Sequence, residues 1–222
     1  VSRYHCFSVL PRSAGSGQRG DSQAMPSYKL AVFSDEVSQD ISKAIEVAGD
    51  FGLNGLEIRS VWDKPPQELD KSDIAEIKRQ MDKAGLKTCS IGSPFFKCDI
   101  DNPEQYREHL KILERCMLLA DALGTNIIRI FTFWRKGDWK ERWQSILDHF
   151  PEPIRMAERE GMILGIENEF STYIGSGTVL AKFLEEIDSP HVAAIWDPAN
   201  SVHDTEQVEE AFPDGYNAVK DR

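Results

Sequence analysis

The sequence predicts an α/β protein of barrel type, in which parallel strands alternate with helices. Three observations carry that expectation. One punctuation recurs along the chain: a helical stretch ends, a glycine follows, and an apolar strand begins. It stands as Phe51-Gly52 before Leu56-Glu57-Ile58, Ala84-Gly85 before Cys89-Ser90-Ile91, Leu123-Gly124 before Ile127-Ile128-Arg129-Ile130, and Glu160-Gly161 before Met162-Ile163-Leu164-Gly165-Ile166. Glycine suits the left-handed position after a helix C-terminus, and repetition of the whole unit marks an internal repeat. Each strand is also a nearly continuous apolar run, as in a parallel sheet covered on both faces. Finally, chemistry-bearing residues follow every strand, as Ser34-Asp35-Glu36, Arg59-Ser60, Ser93 to Lys97, Phe131 to Trp134, Glu167-Asn168-Glu169 and Asp197 to Asn200. An open doubly wound sheet gathers its site at one switch point, whereas a barrel brings all its strand-to-helix loops to one mouth. No Gly-x-Gly-x-x-Gly follows the first strand, which also disfavours a dinucleotide fold.

Taken in order, residues 1–25 form a leader. They hold Arg3, Arg12 and Arg19 against Asp21, with Ser13-Ala-Gly-Ser-Gly17 and no sustained periodicity. That composition suits a disordered extension with Met25 as the natural start, and the barrel domain then occupies 26–222. Strands are expected at 28–33, 54–58, 86–91, 126–131, 162–167 and 191–196. A helix near 38–51 buries Ile41, Ala44, Ile45, Val47 and Ala48. The next runs from a cap at Ser72 to about Ala84. Asn102-Pro103 places a cap and a first-turn proline at the start of a helix reaching Leu123. The stretch 139–160 is helical, with Pro151 and Pro153 breaking or kinking it. Residues 177–188 carry Val179, Leu180, Phe183, Leu184 and Ile187 at helical spacing.

Composition narrows the function classes. The 222 residues suffice for one sizeable core, and 41% apolar with 28% charged residues describes a globular chain. A net charge of −11 with no Lys/Arg cluster argues against a nucleic-acid partner. No apolar run approaches the length of a membrane span. Cys6, Cys89, Cys98 and Cys116 form no Cys-x-x-Cys pair, so a reducing cytoplasm is the expected location.

Two acidic tips concentrate the chemistry. Met162 to Ile166 leads into Glu167, and Val192 to Trp196 leads into Asp197, with a helix between. Strands joined by a crossover helix run parallel, so both carboxylates emerge at one edge of the sheet. There they can chelate a divalent cation or share proton transfer, since hard cations prefer oxygen ligands. Spacing alone does not separate this reading from that of solvated strand-end acids.

The segments Phe33-Ser-Asp-Glu-Val-Ser-Gln-Asp40, Leu56-Glu-Ile-Arg-Ser-Val-Trp62, Ser93-Pro-Phe-Phe-Lys-Cys-Asp99, Ile166-Glu-Asn-Glu169 and Ile195-Trp-Asp-Pro-Ala-Asn200 resemble the sugar phosphate isomerase/epimerase family, with its xylose isomerase-like barrel. The resemblance runs from about Tyr28 to the last residue. It implies a (β/α)8 TIM barrel holding one divalent metal ion (Mn²⁺, Mg²⁺, Co²⁺ or Zn²⁺) through a Glu after strand five, an Asp after strand six, a His after strand seven and a Glu after strand eight. Glu167 and Asp197 match the first two. The chain stops at Arg222, before any counterpart of strands seven and eight. It is therefore expected to be a barrel truncated after about six units, its remainder supplied by a partner or else inactive; a homo-oligomer is a separate expectation.

The implied reaction is proton abstraction beside the carbonyl of a sugar or sugar phosphate through an enediolate, with Glu167 as ligand and base. A dehydratase or other lyase would use the same ligands. A nuclease would need a cluster of histidines that strand ends two to four do not offer. Asn168 and Asn200 would orient ligands or bind sugar hydroxyls. Glu57 could face the mouth, cap a helix or lie on the surface. Lys97 could meet an anionic substrate group or stay solvated. Trp134, with Phe95, Phe96, Phe131 and Phe133, could wall a sugar ring or simply pack. Ser176-Gly177-Thr178 could hold phosphate at a helix N-terminus, and His203 could approach the metal.

Overall fold

The four glycines of the repeated punctuation all sit just past a helix with positive φ: Gly52 at 64°, Gly85 at 70°, Gly124 at 76° and Gly161 at 65°. A side chain would be strained there, so these residues fix where each helix stops and each strand begins. The computed structural model describes residues 28–222, and the expectations for the leader lie outside the described residues. The chain runs β1 (Ala31–Phe33), α1 (Ser34–Val37), α2 (Ile41–Asp50), β2 (Gly55–Ile58), α3 (Lys71–Ala84), β3 (Lys87–Gly92), α4 (Pro103–Leu123) and β4 (Ile127–Ile130). It continues through α5 (Trp139–Asp148), α6 (Pro151–Glu160), β5 (Ile163–Glu167), α7 (Gly177–Ile187), β6 (Val192–Ile195), α8 (Pro198–His203) and α9 (Tyr216–Val219).

Local chemistry explains the boundaries that differ from expectation. The helix expected over 38–51 is α2, and it starts only at Ile41 because Asp40 accepts from the Ser42 backbone N–H and caps it there; the short α1 precedes it as a separate turn. Asp70, not Ser72, caps α3. Its side chain accepts from Ser72 and Asp73 while Asp73 returns a bond to the Asp70 backbone, a reciprocal box that Ser72 alone could not build. Asn102 caps α4 with Pro103 in its first turn, and Pro151 opens α6 after a break at His149 and Phe150.

The six strands form one parallel sheet in the order β1-β2-β3-β4-β5-β6, so each βαβ step moves to the next position. Along β4 and β5, Ile128, Ile130, Leu164 and Ile166 alternate with Arg129, Gly165 and Glu167. A strand sends successive side chains to opposite faces, so the sheet has one apolar face and one that carries charge. The helices bury Ile41, Ala44, Ile77, Met81, Leu113, Cys116, Ala157 and Phe183 in the main core.

Beyond the strand ends a second packing unit forms. Phe96 stacks on Phe95 at 3.9 Å and on Phe133 at 4.0 Å, with Phe150 edge-on at 5.4 Å. Phe96 and Phe133 hold left-handed φ values of 67° and 65°, a conformation that buried stacking must maintain against its steric cost. Phe95, Phe96 and Phe133 are therefore packing residues. No helix among the described residues is long and apolar enough to cross a membrane.

Candidate active site

Arg129 would be costly inside an apolar strand unless paired. The pairing crosses the sheet. Its Nε lies 2.9 Å from Glu57 Oε1 on β2, and its Nη1 lies 2.5 Å from Glu167 Oε2 on β5. All three are buried, Glu57 completely. The register between β2 and β3 slips after Leu56, which pairs with Thr88, so that Glu57 faces Ser90 and Cys89 is passed over. This bulge aims the Ser90 hydroxyl at Glu57 Oε2, 2.7 Å away. Burial pushes the Glu57 carboxyl above the usual glutamate range, although Arg129 and Ser90 pull it down. Burial disfavours the Arg129 charge too, but Glu167 and Glu57 outweigh it and keep the guanidinium cationic.

Glu167, Asp197, Asn200 and Lys97 line one cavity of about 360 Å³, together with Arg129 and Phe131. Its size is within the range of small-molecule sites. Asp197 is also the N-cap of α8: its Oδ1 accepts from Ala199 and Asn200 backbone N–H groups at 2.7 and 3.1 Å, with Pro198 in the first turn. Capping explains an Asp at this position by itself; the shared cavity adds its neighbour. The Asn200 side-chain amide touches Glu167 Oε1 at 3.3 Å and Asp197 Oδ2 at 3.2 Å, joining the two carboxylates through one nitrogen.

Asn168 stands behind the cavity. Its Nδ2 donates to Gly175 O, Asp197 O and Ser201 Oγ, and its Oδ1 accepts from the Asp197 backbone N–H at 2.8 Å. It ties the end of β5 to the start of α8. Glu57 sits behind Arg129 and does not line the cavity, contrary to a position at the mouth. Lys97 does: its Nζ lies 3.3 Å from Glu169 Oε2, 4.0 Å from the Phe131 ring centre and 5.4 Å from that of Trp134. Trp134 itself is half-exposed outside the cavity lining.

Two expectations fail on geometry. The α7 N-terminus does not present its N–H groups to a phosphate, because Glu209 already accepts from Gly177 N–H at 2.7 Å and Thr178 N–H at 2.8 Å. His203 is exposed at the end of α8, its ring 5.9 Å from that of Phe170, and does not line the cavity. Arg59 and Glu169, which the sequence offers only as members of the clusters after their strands, line the cavity, and so does Arg129, which the sequence does not single out. A lone charge inside the run Ile127-Ile128-Arg129-Ile130 was the available signal for Arg129, since a buried charge implies a partner.

The donor chemistry fits a hard divalent cation: Glu167 and Asp197 offer carboxylate oxygens to one cavity. Among the described residues no group of three or more His, Cys, Asp or Glu is placed to hold a metal ion.

The xylose isomerase-like TIM barrel family matches residues 45–220. No curated protein matches the chain significantly. Among solved structures, a 3-keto-D-glucoside 4-epimerase from E. coli in its apo form is 16% identical with a TM-score of 0.65, over 85% of this chain and 75% of that one. A xylose isomerase-like TIM barrel protein from Mycobacterium smegmatis in complex with magnesium is 17% identical with a TM-score of 0.65, over 86% and 71%. A D-allulose 3-epimerase from Methylomonas sp. in complex with D-allulose is 17% identical with a TM-score of 0.64, over 90% and 73%. At such identities the likeness establishes a shared fold.

Proposed function

The chain belongs to the xylose isomerase-like TIM barrel family, and we propose that its site moves a proton at the carbon beside the carbonyl of a sugar, as an isomerase or epimerase. The observation that carries this reading is the placement of Glu167 and Asp197, two buried carboxylates from adjacent strand ends, in one cavity with Asn200 between them. Sugar epimerases among the structural neighbours support it.

Glu167 and Asp197 would hold one divalent cation, which supplies the positive charge that favours an enediolate oxygen. Glu167 takes and returns the proton at Oε1, the oxygen that Arg129 does not hold, which keeps one lone pair for the proton when the other meets a cation. Asn200 orients both carboxylates. Lys97, paired with Glu169, offers N–H donors to a substrate oxygen, and Phe33 and Phe131 in the lining help to exclude water. Glu57 and Asn168 act from behind, one through Arg129 and the other by joining β5 to α8.

The test is proton exchange. Ketohexoses incubated with the chain and Mn²⁺ in deuterium oxide should take up deuterium beside the carbonyl. Glu167→Gln should slow that uptake by about a hundredfold or more, the range of general-base catalysis. Exchange that survives the substitution unchanged contradicts the assignment. Loss of water from the sugar, seen in the same spectra, would instead identify a dehydratase working from the same first step.

A further inference from the structure

We propose that Arg129 is a positioning residue for Glu167: it holds Oε2 of that carboxylate, so that Oε1 is the oxygen presented to a divalent cation. The inference rests on the reading of Glu167 as a ligand and adds the group that decides how it ligates.

The guanidinium is held at two nitrogens: Nη1 donates a hydrogen bond to Glu167, and Nε lies within ion-pair distance of Glu57 without a hydrogen bond. Nε faces Glu57 and Nη1 faces Glu167, so two edges of one planar fork address two carboxylates. Ser90 locks the far carboxylate by donating to its Oε2. The rings of Phe33 and Phe131 lie 5.0 and 5.1 Å from the guanidinium carbon. Gly92 leaves the passage open, because a Cβ there would stand 2.7 Å from Glu57 Oε1 and 3.0 Å from Arg129 Nη2. Against this rigid contact, the other Glu167 oxygen meets the longer bond from Asn200 at 3.3 Å. Glu167 is thus held from one side, and rotation about its terminal bond would break its shortest contact.

Charge and position make opposite predictions for removing Arg129. A cation next to a ligand repels a bound divalent ion, so its loss should tighten metal binding if charge alone matters. If Arg129 positions Glu167, its loss should weaken binding, by about tenfold or more for a residue that orients a ligand.

Mn²⁺ is titrated calorimetrically into the unchanged chain, Arg129→Met, the double variant Glu57→Met/Arg129→Met, and Glu167→Ala, with folding followed by circular dichroism. The double variant removes both ends of the buried pair, so no orphaned carboxylate is left at Glu57 to unfold the protein. The expected result is Mn²⁺ affinity at least about tenfold weaker in both Arg129 variants. A changed electron paramagnetic resonance spectrum of the bound ion should accompany it as the Glu167 oxygens lose their distinction. Equal or tighter binding, with Glu167→Ala still abolishing it, overturns the role of Arg129 alone. No Mn²⁺ binding by the unchanged chain overturns this inference together with the metal-site reading beneath it.

Discussion

Arg129 of β4 and Glu57 of β2 form an ion pair across β3, a strand to which neither belongs, at 2.9 Å between Nε and Oε1. The contact is possible because the intervening residue is Gly92 and because the β2–β3 slip sets Glu57 opposite Ser90. Three strands are thereby joined through side chains as well as through their backbones.

Gly92→Ala should disrupt this pair. Its Cβ would meet Glu57 Oε1 at 2.7 Å and the Arg59 Cβ at 2.9 Å. The new methyl must displace a buried charge or its neighbour, at a cost of about 2 kcal/mol. Urea unfolding of the variant measures it, and an unchanged midpoint would show that the passage is not needed.

Arg135 and Asp204 make a second buried pair with two N–H groups on one carboxylate. It ties the loop after β4 to the segment after α8. Arg135→Met strands Asp204 and should cost about 3 kcal/mol. Burial pushes the Asp204 carboxyl up, but Arg135 and the backbone N–H groups of Gln207 and Glu206 more than offset it, so its value in the folded state lies below the usual one. The sign follows. A depressed carboxyl contributes stability that is complete above the unfolded-state value of about 3.9 and is lost as pH falls through the folded-state value. Stability measured from pH 6 downward should drop for the unchanged chain below about pH 4, and drop less for Arg135→Met. Parallel curves would remove Arg135 as the cause.

Glu209 occupies the N-terminus of α7, where a phosphate was one expectation. Glu209→Ala leaves the Gly177 and Thr178 N–H groups without their carboxylate and should cost about 1 kcal/mol, the range of a helix cap. If instead inorganic phosphate protects the unchanged chain against thermal unfolding, Glu209 is displaceable and the expectation returns.

The architecture was legible because its signals are local. The Gly52, Gly85, Gly124 and Gly161 punctuation located the strand starts within a residue or so, and β5 was expected at 162–167 and found at Ile163–Glu167. Pro151 announced the break between α5 and α6. That Glu167 and Asp197 reach one cavity was legible for the same reason, since each closes an apolar run. What escaped was set by distance in sequence. Glu57 and Arg129 each look like the odd residue of its own strand, and their meeting depends on a register slip at Cys89 that no local pattern announces. Glu209 closes over a helix N-terminus some thirty residues earlier in the chain, so the free-looking Ser176-Gly177-Thr178 turn could not reveal its occupant. Asp70 displaced Ser72 as a cap through its reciprocal bond with Asp73, a choice between neighbouring cap residues that composition does not rank.

The measurement that bears most directly on the account is calorimetric titration of Mn²⁺ into the chain beside Glu167→Ala and Asp197→Ala. The account predicts one binding event in the unchanged chain and its loss in each variant, with circular dichroism showing that each variant is still folded at the titration temperature. Binding that persists in both variants, or fails in the unchanged chain, would contradict a metal site built on Glu167 and Asp197.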